Sequence, residues 1–254
     1  MCTLLITERL GGGYLAWANR DESHTRPRAE PPSIDSSSGI RVIQPIDPLG
    51  GGTWIAVNEA GVTTALLNQY QAHCTPNPPL ISRGQVVKSL ALCEDLDAFQ
   101  EKFKADVRPR LENIAGFILL AISAEPGHKP RIHRISWDGE ILSSKKMVPP
   151  WLEISSGVEP LEVRRRRREN LRTFLDTPLL DWSSALPAFR GHEPSAGPSS
   201  ICMHRDDAST VSHTGVAVTD GTVTMYYIDG SPCGSQPPRE TRLARTAQPG
   251  KESL

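Results

Sequence analysis

Cys2 is the residue whose chemistry stands out first in this sequence. Removal of Met1 would leave Cys2 with a thiol and a free α-amine on one residue. An α-amine titrates near ~8, so it could take the thiol proton and make this residue nucleophile and base at once. The simpler interpretation is that Cys2 only begins the buried strand predicted by the apolar run Leu4–Ile6. Position alone favours the simpler interpretation.

A predicted β-hairpin brings charged side chains to Cys2. After the first strand and a glycine-rich turn, a second apolar run, Tyr14–Ala18, leads into residues 19–22, with the sequence Asn-Arg-Asp-Glu. Antiparallel strands of similar length place the end of the second beside the start of the first. Arg20 would then favour the thiolate, and Asp21 could orient the α-ammonium. The alternative is an ordinary charged turn at a strand end.

The motifs of roughly the first 70 residues resemble those of the NRDE family. They are Met1-Cys2, the Asn-Arg-Asp-Glu run, Arg26-Pro27, Gly51-Gly52-Thr53-Trp54, Asn58 and Leu67-Asn68. This family includes the eukaryotic transport and Golgi organisation protein 2 homologues and is similar to the N-terminal nucleophile (Ntn) hydrolases of the choloylglycine hydrolase and penicillin acylase type. The resemblance implies an α+β fold with the four-layer αββα sandwich of these hydrolases. Pattern alone indicates only α+β.

The resemblance also implies a catalytic site. Cys2 would be the nucleophile, and Arg20 and Asp21 would support it. Asn68 would match the asparagine that stabilises an oxyanion together with backbone amides in the acylases. Arg205 would match a second arginine.

One departure from the family pattern bears on activity. NRDE proteins usually read Ser-Asn after the mid-chain strand, whereas this chain reads Ser155-Ser156-Gly157, and a hydroxyl lacks the reach of a carboxamide. Two classes of function therefore stay open. One is a cysteine amidohydrolase or acyl transferase that acts on a small amide or acyl substrate through an acyl-enzyme at Cys2. The other is a non-catalytic trafficking or binding protein that carries a haem or lipid-related ligand on the same fold.

Composition predicts one globular domain over residues 1–229 and a disordered tail over 230–254, which is rich in Pro, Gly, Ser and Arg. A net charge of -1 gives no reason to expect a nucleic-acid partner. No apolar run approaches the ~18 residues that span a bilayer, and no secretory signal is evident, so integral membrane association is not expected and the cytoplasm is the default location. The oligomeric state stays open.

Metal binding is not expected from the spacing of histidines and cysteines. Cys202 and His204 alternate onto one face of a predicted strand, and His73 adjoins Cys74, but no Cys-x-x-Cys or His-x-x-x-His pair completes a site. Catalysis would need no cofactor. Haem stays open as a carried ligand, because seven histidines and five cysteines offer axial ligands without identifying one. The odd, irregularly spaced cysteines favour reduced thiols over a disulfide framework.

Hydrophobic periodicity predicts the elements that hold these residues. Further predictions are a polar loop over 30–39, a hairpin over 53–58 and 62–68, a helix opened by a capping box of Ser82 and Gln85, a helix capped by Asp95, strands over 116–123 and 131–137 with a turn into 140–143, a helix over 162–175, and a hairpin over 211–219 and 222–228. The helix over 162–175 carries five consecutive arginines, 164–168. We expect all five to cover a solvent face.

Overall fold

Two antiparallel β-sheets form the centre of the computed structural model, which describes residues 2–72, 81–176, 179, 181–234 and 236–246. In chain order, the strands of the described residues are β1 (Cys2–Glu8), β2 (Tyr14–Ser23), β3 (Glu30–Asp35), β4 (Val42–Ile46), β5 (Ile55–Asn58), β6 (Thr63–Asn68), β7 (Phe117–Ser123), β8 (Arg131–Trp137), β9 (Leu142–Met147), β10 (Trp151–Ser155), β11 (Ala208–Val218), β12 (Thr222–Asp229) and β13 (Arg239–Ala244). One sheet has the order β10-β1-β2-β11-β12-β13, and the other has the order β3-β4-β5-β6-β7-β8-β9.

Short helices cover the outer faces of both sheets. They are α1 (Arg83–Leu90), α2 (Leu96–Lys102), α3 (Pro160–Asn170) and α4 (Leu186–Phe189), with a π-helical turn at Phe103–Val107 and 3-10 turns at Arg108–Asn113, Arg172–Leu175 and Trp182–Ala185. Asp95 caps α2 as predicted, since its carboxylate accepts a hydrogen bond of 2.7 Å from the N–H of Ala98. No helix within the described ranges is both long enough and apolar enough to cross a membrane.

Alternation along each strand divides the core into three apolar layers. Along β1, Leu4 and Ile6 face the other sheet and join the core between the sheets. Leu5 faces the opposite way and packs in the core under α3 and α4. A third core joins the outer face of the seven-stranded sheet to α1 and α2. Two sheets between two helical layers are the four-layer αββα sandwich, so the predicted fold is confirmed.

Three of the predicted hairpins are also confirmed. β1 pairs with β2 from Cys2 opposite Arg20 to Glu8 opposite Tyr14. β5 pairs with β6, and β11 pairs with β12, each in antiparallel register. The glycine-rich turn between β1 and β2 requires glycine at Gly13, where φ is +79° and a Cβ would lie 1.9 Å from the carbonyl oxygen of Val218.

Three sequence predictions of local structure are wrong. The loop expected over 30–39 contains β3, whose residues are exposed or partly exposed and give no hydrophobic signal, and whose prolines a sheet edge tolerates. Ser82 stands at the start of α1, but its side chain makes no capping hydrogen bond. The tail expected to be disordered contains β13, which pairs with β12 and buries Leu243. Amino-acid composition did not indicate this strand, because Leu243 is the apolar residue that it buries in an otherwise polar segment.

Candidate active site

Cys2 lies at the end of β1, between two neighbouring strands of the six-stranded sheet. It pairs with Arg20 of β2 on one side and with Ser155 of β10 on the other. Its partly buried side chain packs against the core between the two sheets. The thiol therefore faces the interior of the sandwich at the end of the sheet. Strands β2 and β10 flank β1 on either side at this point.

Burial raises the pKa of the Cys2 thiol above its ordinary value, and the negative charges of Asp21 and Glu22 raise it further. The positive charge of the amino terminus and a hydrogen bond from the backbone of Asp21 lower the pKa of this thiol but do not reverse the shift. The raised pKa gives no support to the prediction that Arg20 favours the thiolate of Cys2. A thiol of this kind needs a base at the moment of reaction.

The guanidinium of Arg20 contacts an aromatic ring and two carboxylates. Its guanidinium lies 4.3 Å from the ring centroid of Trp54, as a cation–π contact. The same group lies 3.4 Å from the carboxylate of Glu22 and 3.9 Å from that of Asp47. Arg20 also lines a cavity of about 280 Å³ beside the end of β2, together with Glu22. Arg20 therefore lies between the Trp54 ring, two carboxylates and this cavity.

The end of β6 reaches this region from the opposite sheet. The hydroxyl of Ser155 donates a short hydrogen bond to the backbone carbonyl of Asn68, which joins the two sheets beside Cys2. The side-chain amide of Asn68 donates to the phenol oxygen of Tyr70 at 3.2 Å. Burial, followed by the charge of Cys2, raises the pKa of Tyr70. Tyr70 therefore belongs to the site, although the sequence analysis did not single it out.

Asp21 lies on the other face of the sheet, because successive residues of a strand point to opposite sides. Its carboxylate forms a fully buried ion pair with Arg167 at 3.0 Å. The hydroxyl of Thr210 donates to the same carboxylate at 2.6 Å, and Arg167 donates to the hydroxyl of Thr3 at 2.7 Å. The structure thus places Asp21 in a buried polar network next to the backbone of Cys2.

Arg167 is the functional neighbour that the sequence analysis missed. The prediction that all five arginines of the run are solvated is wrong for this residue, whose side chain is 0% exposed. It also donates to the carbonyl of Pro198 at 3.0 Å. A signal was present, because Val163 and Leu171, four residues to either side, are also fully buried. Residues four apart along a helix lie on one face, so a charged residue between two buried apolar residues at this spacing also faces the core.

Arg205, a predicted site residue, and Ser156, the residue that departs from the family pattern, both form hydrogen bonds to residues close in sequence. The guanidinium of Arg205 binds the carboxylate of Asp207, with Nε 2.9 Å from Oδ1. The hydroxyl of Ser156 bonds the backbone of Val158 and accepts from its N–H at 3.1 Å. Ser156 therefore does not stand in for the asparagine of the family pattern.

Asn19, the first residue of the Asn-Arg-Asp-Glu run, is completely buried. Its side-chain amide donates to the carbonyl oxygens of Phe189 at 3.0 Å and Ile201 at 2.9 Å. Its side-chain oxygen lies 2.8 Å from Nδ1 of His213. These contacts fasten β2 to the helical layer, so Asn19 supports the site from behind.

The side chains best suited to bind a metal form a second group, made of His192, Cys202, His204 and Cys233. None of these four residues belongs to the surroundings of Cys2 described above. The prediction from sequence had paired only Cys202 with His204, because His192 lies ten positions before Cys202 and Cys233 lies 29 positions after His204, and neither spacing matches a metal motif.

Comparisons with known proteins give one family and a set of distant structures. Residues 1–176 match the family model for Transport and Golgi organisation 2. No curated protein is significantly similar in sequence to the chain. A mutant of the conjugated bile acid hydrolase from Clostridium perfringens is 13% identical, with 96% of this chain and 92% of that chain covered and a TM-score of 0.47. The N-acylethanolamine-hydrolyzing acid amidase ortholog of Caenorhabditis elegans is 9% identical, with 84% and 92% covered and a TM-score of 0.49. Neither likeness is close enough to transfer an activity to this chain.

Proposed function

This chain belongs to the Transport and Golgi organisation 2 family, and from the geometry of its own site we propose that it is a cysteine amidohydrolase or acyl transferase. The substrate would be a small amide or acyl compound, and the intermediate an acyl-enzyme at Cys2. The observation that carries the proposal is the position of Cys2 at a sheet end, between Arg20 and Ser155. The end of β6 approaches it from the opposite sheet.

The chemistry requires removal of Met1, which exposes the α-amine of Cys2. That amine takes the thiol proton, which is needed because burial raises the thiol pKa. The sulfur then bonds to the substrate carbonyl carbon. As the tetrahedral intermediate collapses, the carbon–nitrogen bond breaks and the leaving amine takes the proton. Water or an acceptor amine then attacks the thioester, which releases the acyl group and restores the thiol.

The surrounding residues have separate roles in this proposal. The side-chain amide of Asn68 would leave Tyr70 and donate to the developing oxyanion, a bond that stabilises the transition state more than the ground state. Arg20 would hold a polar group of the substrate in the cavity that it lines. Asp21 acts as a positioning residue, since its carboxylate is engaged with Arg167 and its backbone bonds the thiol.

The test is single-turnover reaction of the purified chain with a panel of activated thioesters and amides, followed by intact and peptide mass measurement. We expect Met1 to be absent and one acyl adduct to appear on the Cys2 peptide. Cys2→Ser should abolish the adduct, because an alcohol is a far poorer nucleophile near neutral pH. Cys93→Ser is the matched control, since Cys93 is another partly desolvated thiol, with a pKa raised to about 11.

Two outcomes would overturn the proposal. One is retention of Met1 in active, correctly folded protein. The other is absence of any adduct across the panel in the wild type and in Ser156→Asn, which restores the residue of the family pattern. In the second case a sharpened Soret band with submicromolar haem would favour the carrier function over the enzyme.

A further inference from the structure

Four metal-ligating side chains converge near the ends of β11 and β12. They are His192, Cys202, His204 and Cys233, and one ligand atom of each lies within 4.8 Å of the ligand atoms of all the others. Nε2 of His204 lies 3.6 Å from the sulfur of Cys202 and 3.4 Å from that of Cys233. The ring centroids of His192 and His204 are 5.0 Å apart. Two sulfurs and two imidazoles thus share one small volume.

The two distances from His204 to the sulfurs match those of a tetrahedral zinc site. With Zn–N near 2.0 Å and Zn–S near 2.3 Å, two donors at the corners of a tetrahedron lie about 3.3–3.8 Å apart. Both sulfur distances from His204 fall within this range. Independently, Nε2 of His192 is buried and has no hydrogen-bond partner among the described residues, an arrangement that a metal bond would satisfy.

The backbone holds the ligands on three separate segments. The N–H of Cys202 donates to the carbonyl of Gly191 at 3.0 Å, which ties its segment to that of His192. His204 forms an isolated antiparallel bridge with Ser209. Cys233 lies in a turn closed by a hydrogen bond of 3.0 Å from Gly234 to Ser231. The spacing His-x9-Cys-x-His-x28-Cys is irregular, so a sequence pattern does not expose it.

We propose that His192, Cys202, His204 and Cys233 bind one Zn²⁺ ion as a structural site. The Cys₂His₂ donor set suits zinc better than magnesium or calcium, which prefer oxygen ligands. Four protein ligands leave no open position, so the ion would hold loops together rather than activate water. This inference is independent of the proposed function of Cys2.

The proposed ion would stabilise the polar network behind Cys2. Met203, between two of the ligands, donates its N–H to the hydroxyl of Thr210 at 2.8 Å. That hydroxyl donates in turn to Asp21 at 2.6 Å. Zinc would therefore fix the segment that positions Thr210 against Asp21. Loss of the ion should lower the unfolding temperature of the whole chain, because ligand binding to the folded state stabilises it.

The test measures zinc in the full chain, expressed without a histidine tag and purified with a reductant. We expect close to one zinc per chain by elemental mass spectrometry. We also expect an intense tetrahedral Co²⁺ spectrum with a thiolate charge-transfer band after exchange. Cys233→Ser should weaken metal binding at least about 100-fold, since second-shell changes alone cost 10–100-fold. Cys233 is exposed, so this change should leave the core intact.

The matched control is His128→Ala, because His128 is an exposed histidine outside the group. It should retain the full zinc content and the cobalt spectrum. Zinc well below stoichiometry in the wild type, together with no cobalt band, would overturn the proposal. So would a disulfide between Cys202 and Cys233, detected as a linked peptide in freshly purified protein.

Discussion

The two faces of the six-stranded sheet differ sharply where β1 begins. On the inner face, Cys2 packs against the core between the sheets, and Arg20 contacts the Trp54 ring and the Glu22 carboxylate and lines a cavity. On the outer face, Thr3 and Asp21 are sealed under α3 by Arg167, which is fully buried. Residues adjacent in sequence thus have separate environments, because a strand turns successive side chains to opposite sides.

Because the two faces differ, neighbouring residues of the Asn-Arg-Asp-Glu run have separate roles. Arg20 and Asp21 are neighbours in the Asn-Arg-Asp-Glu run, yet only Arg20 faces the side of the Cys2 thiol. Asp21 and Asn19 bind the helical layer and so hold β2 in place from behind. Substitutions on the outer face should therefore reduce stability, and substitutions on the inner face should reduce activity.

The largest expected effect is on the outer face. Arg167→Met should lower the free energy of unfolding by about 3–5 kcal/mol, because it leaves the carboxylate of Asp21 buried without its cation. Arg165→Met is the matched control in the same arginine run. Arg165 is exposed and forms surface ion pairs with Glu162 and Glu169, so its replacement should change the free energy of unfolding little. Urea unfolding of both variants measures the difference, and equal losses would contradict the comparison.

The next effect falls on the inner face and is kinetic. Asn68→Ala should slow formation of the Cys2 acyl-enzyme by about 10²–10³-fold if its amide serves the oxyanion, while the urea midpoint changes little. Gln71→Ala is the control, since it removes an exposed carboxamide that bonds the backbone of Ser156. A comparable loss of rate in both variants would show that Asn68 has no special position. Single-turnover kinetics separates the cases.

The sequence predicted the elements of the fold better than the directions of its side chains. Apolar alternation and turn residues located the hairpins, and with the family resemblance they indicated the correct sandwich. The motif placed Cys2 beside Arg20, as the register confirms. The pairing of Asp21 with Arg167 could not be predicted in the same way, because it joins residues 146 positions apart. A charged side chain inside an arginine run also carries no local signal of burial except its apolar flanks.

A smaller effect, again on the outer face, depends on pH. Burial lowers the pKa of His213 to about 3, so the folded state keeps this imidazole neutral where the unfolded chain would protonate it. Stability from this source is present above the unfolded pKa of about 6.5 and is lost as pH falls from there toward 3, by about 1.4 kcal/mol per pH unit. His213→Gln should remove that part of the slope between about pH 6.5 and 5.

Urea unfolding at several pH values compares the wild type with His213→Gln and with His128→Ala. His128→Ala is the control, and its free energy of unfolding should depend on pH as that of the wild type does. Other histidines with lowered pKa values, such as His133, contribute equally to all three proteins, so the difference isolates His213. Parallel curves for wild type and His213→Gln would show that this imidazole is not held neutral.

Replacement of Arg20 should reduce stability far less than replacement of Arg167, although Arg20 is only 6% exposed. Arg20→Met removes the contact with Trp54, which is worth about 0.5–2 kcal/mol, and its methylene chain still packs against the ring. The carboxylate of Asp47 keeps a partner, because Arg26 also binds it. We therefore expect a loss near 1 kcal/mol in urea unfolding, far below that of Arg167→Met, together with a clear loss of acyl-enzyme formation.

Arg26→Met is the control, because Arg26 lines the same cavity as Arg20. It tests whether the loss of any arginine beside this cavity gives the same kinetic result. If Arg20→Met lowered the free energy of unfolding as much as Arg167→Met, the two faces of the sheet would not differ in the contribution of their arginines to stability.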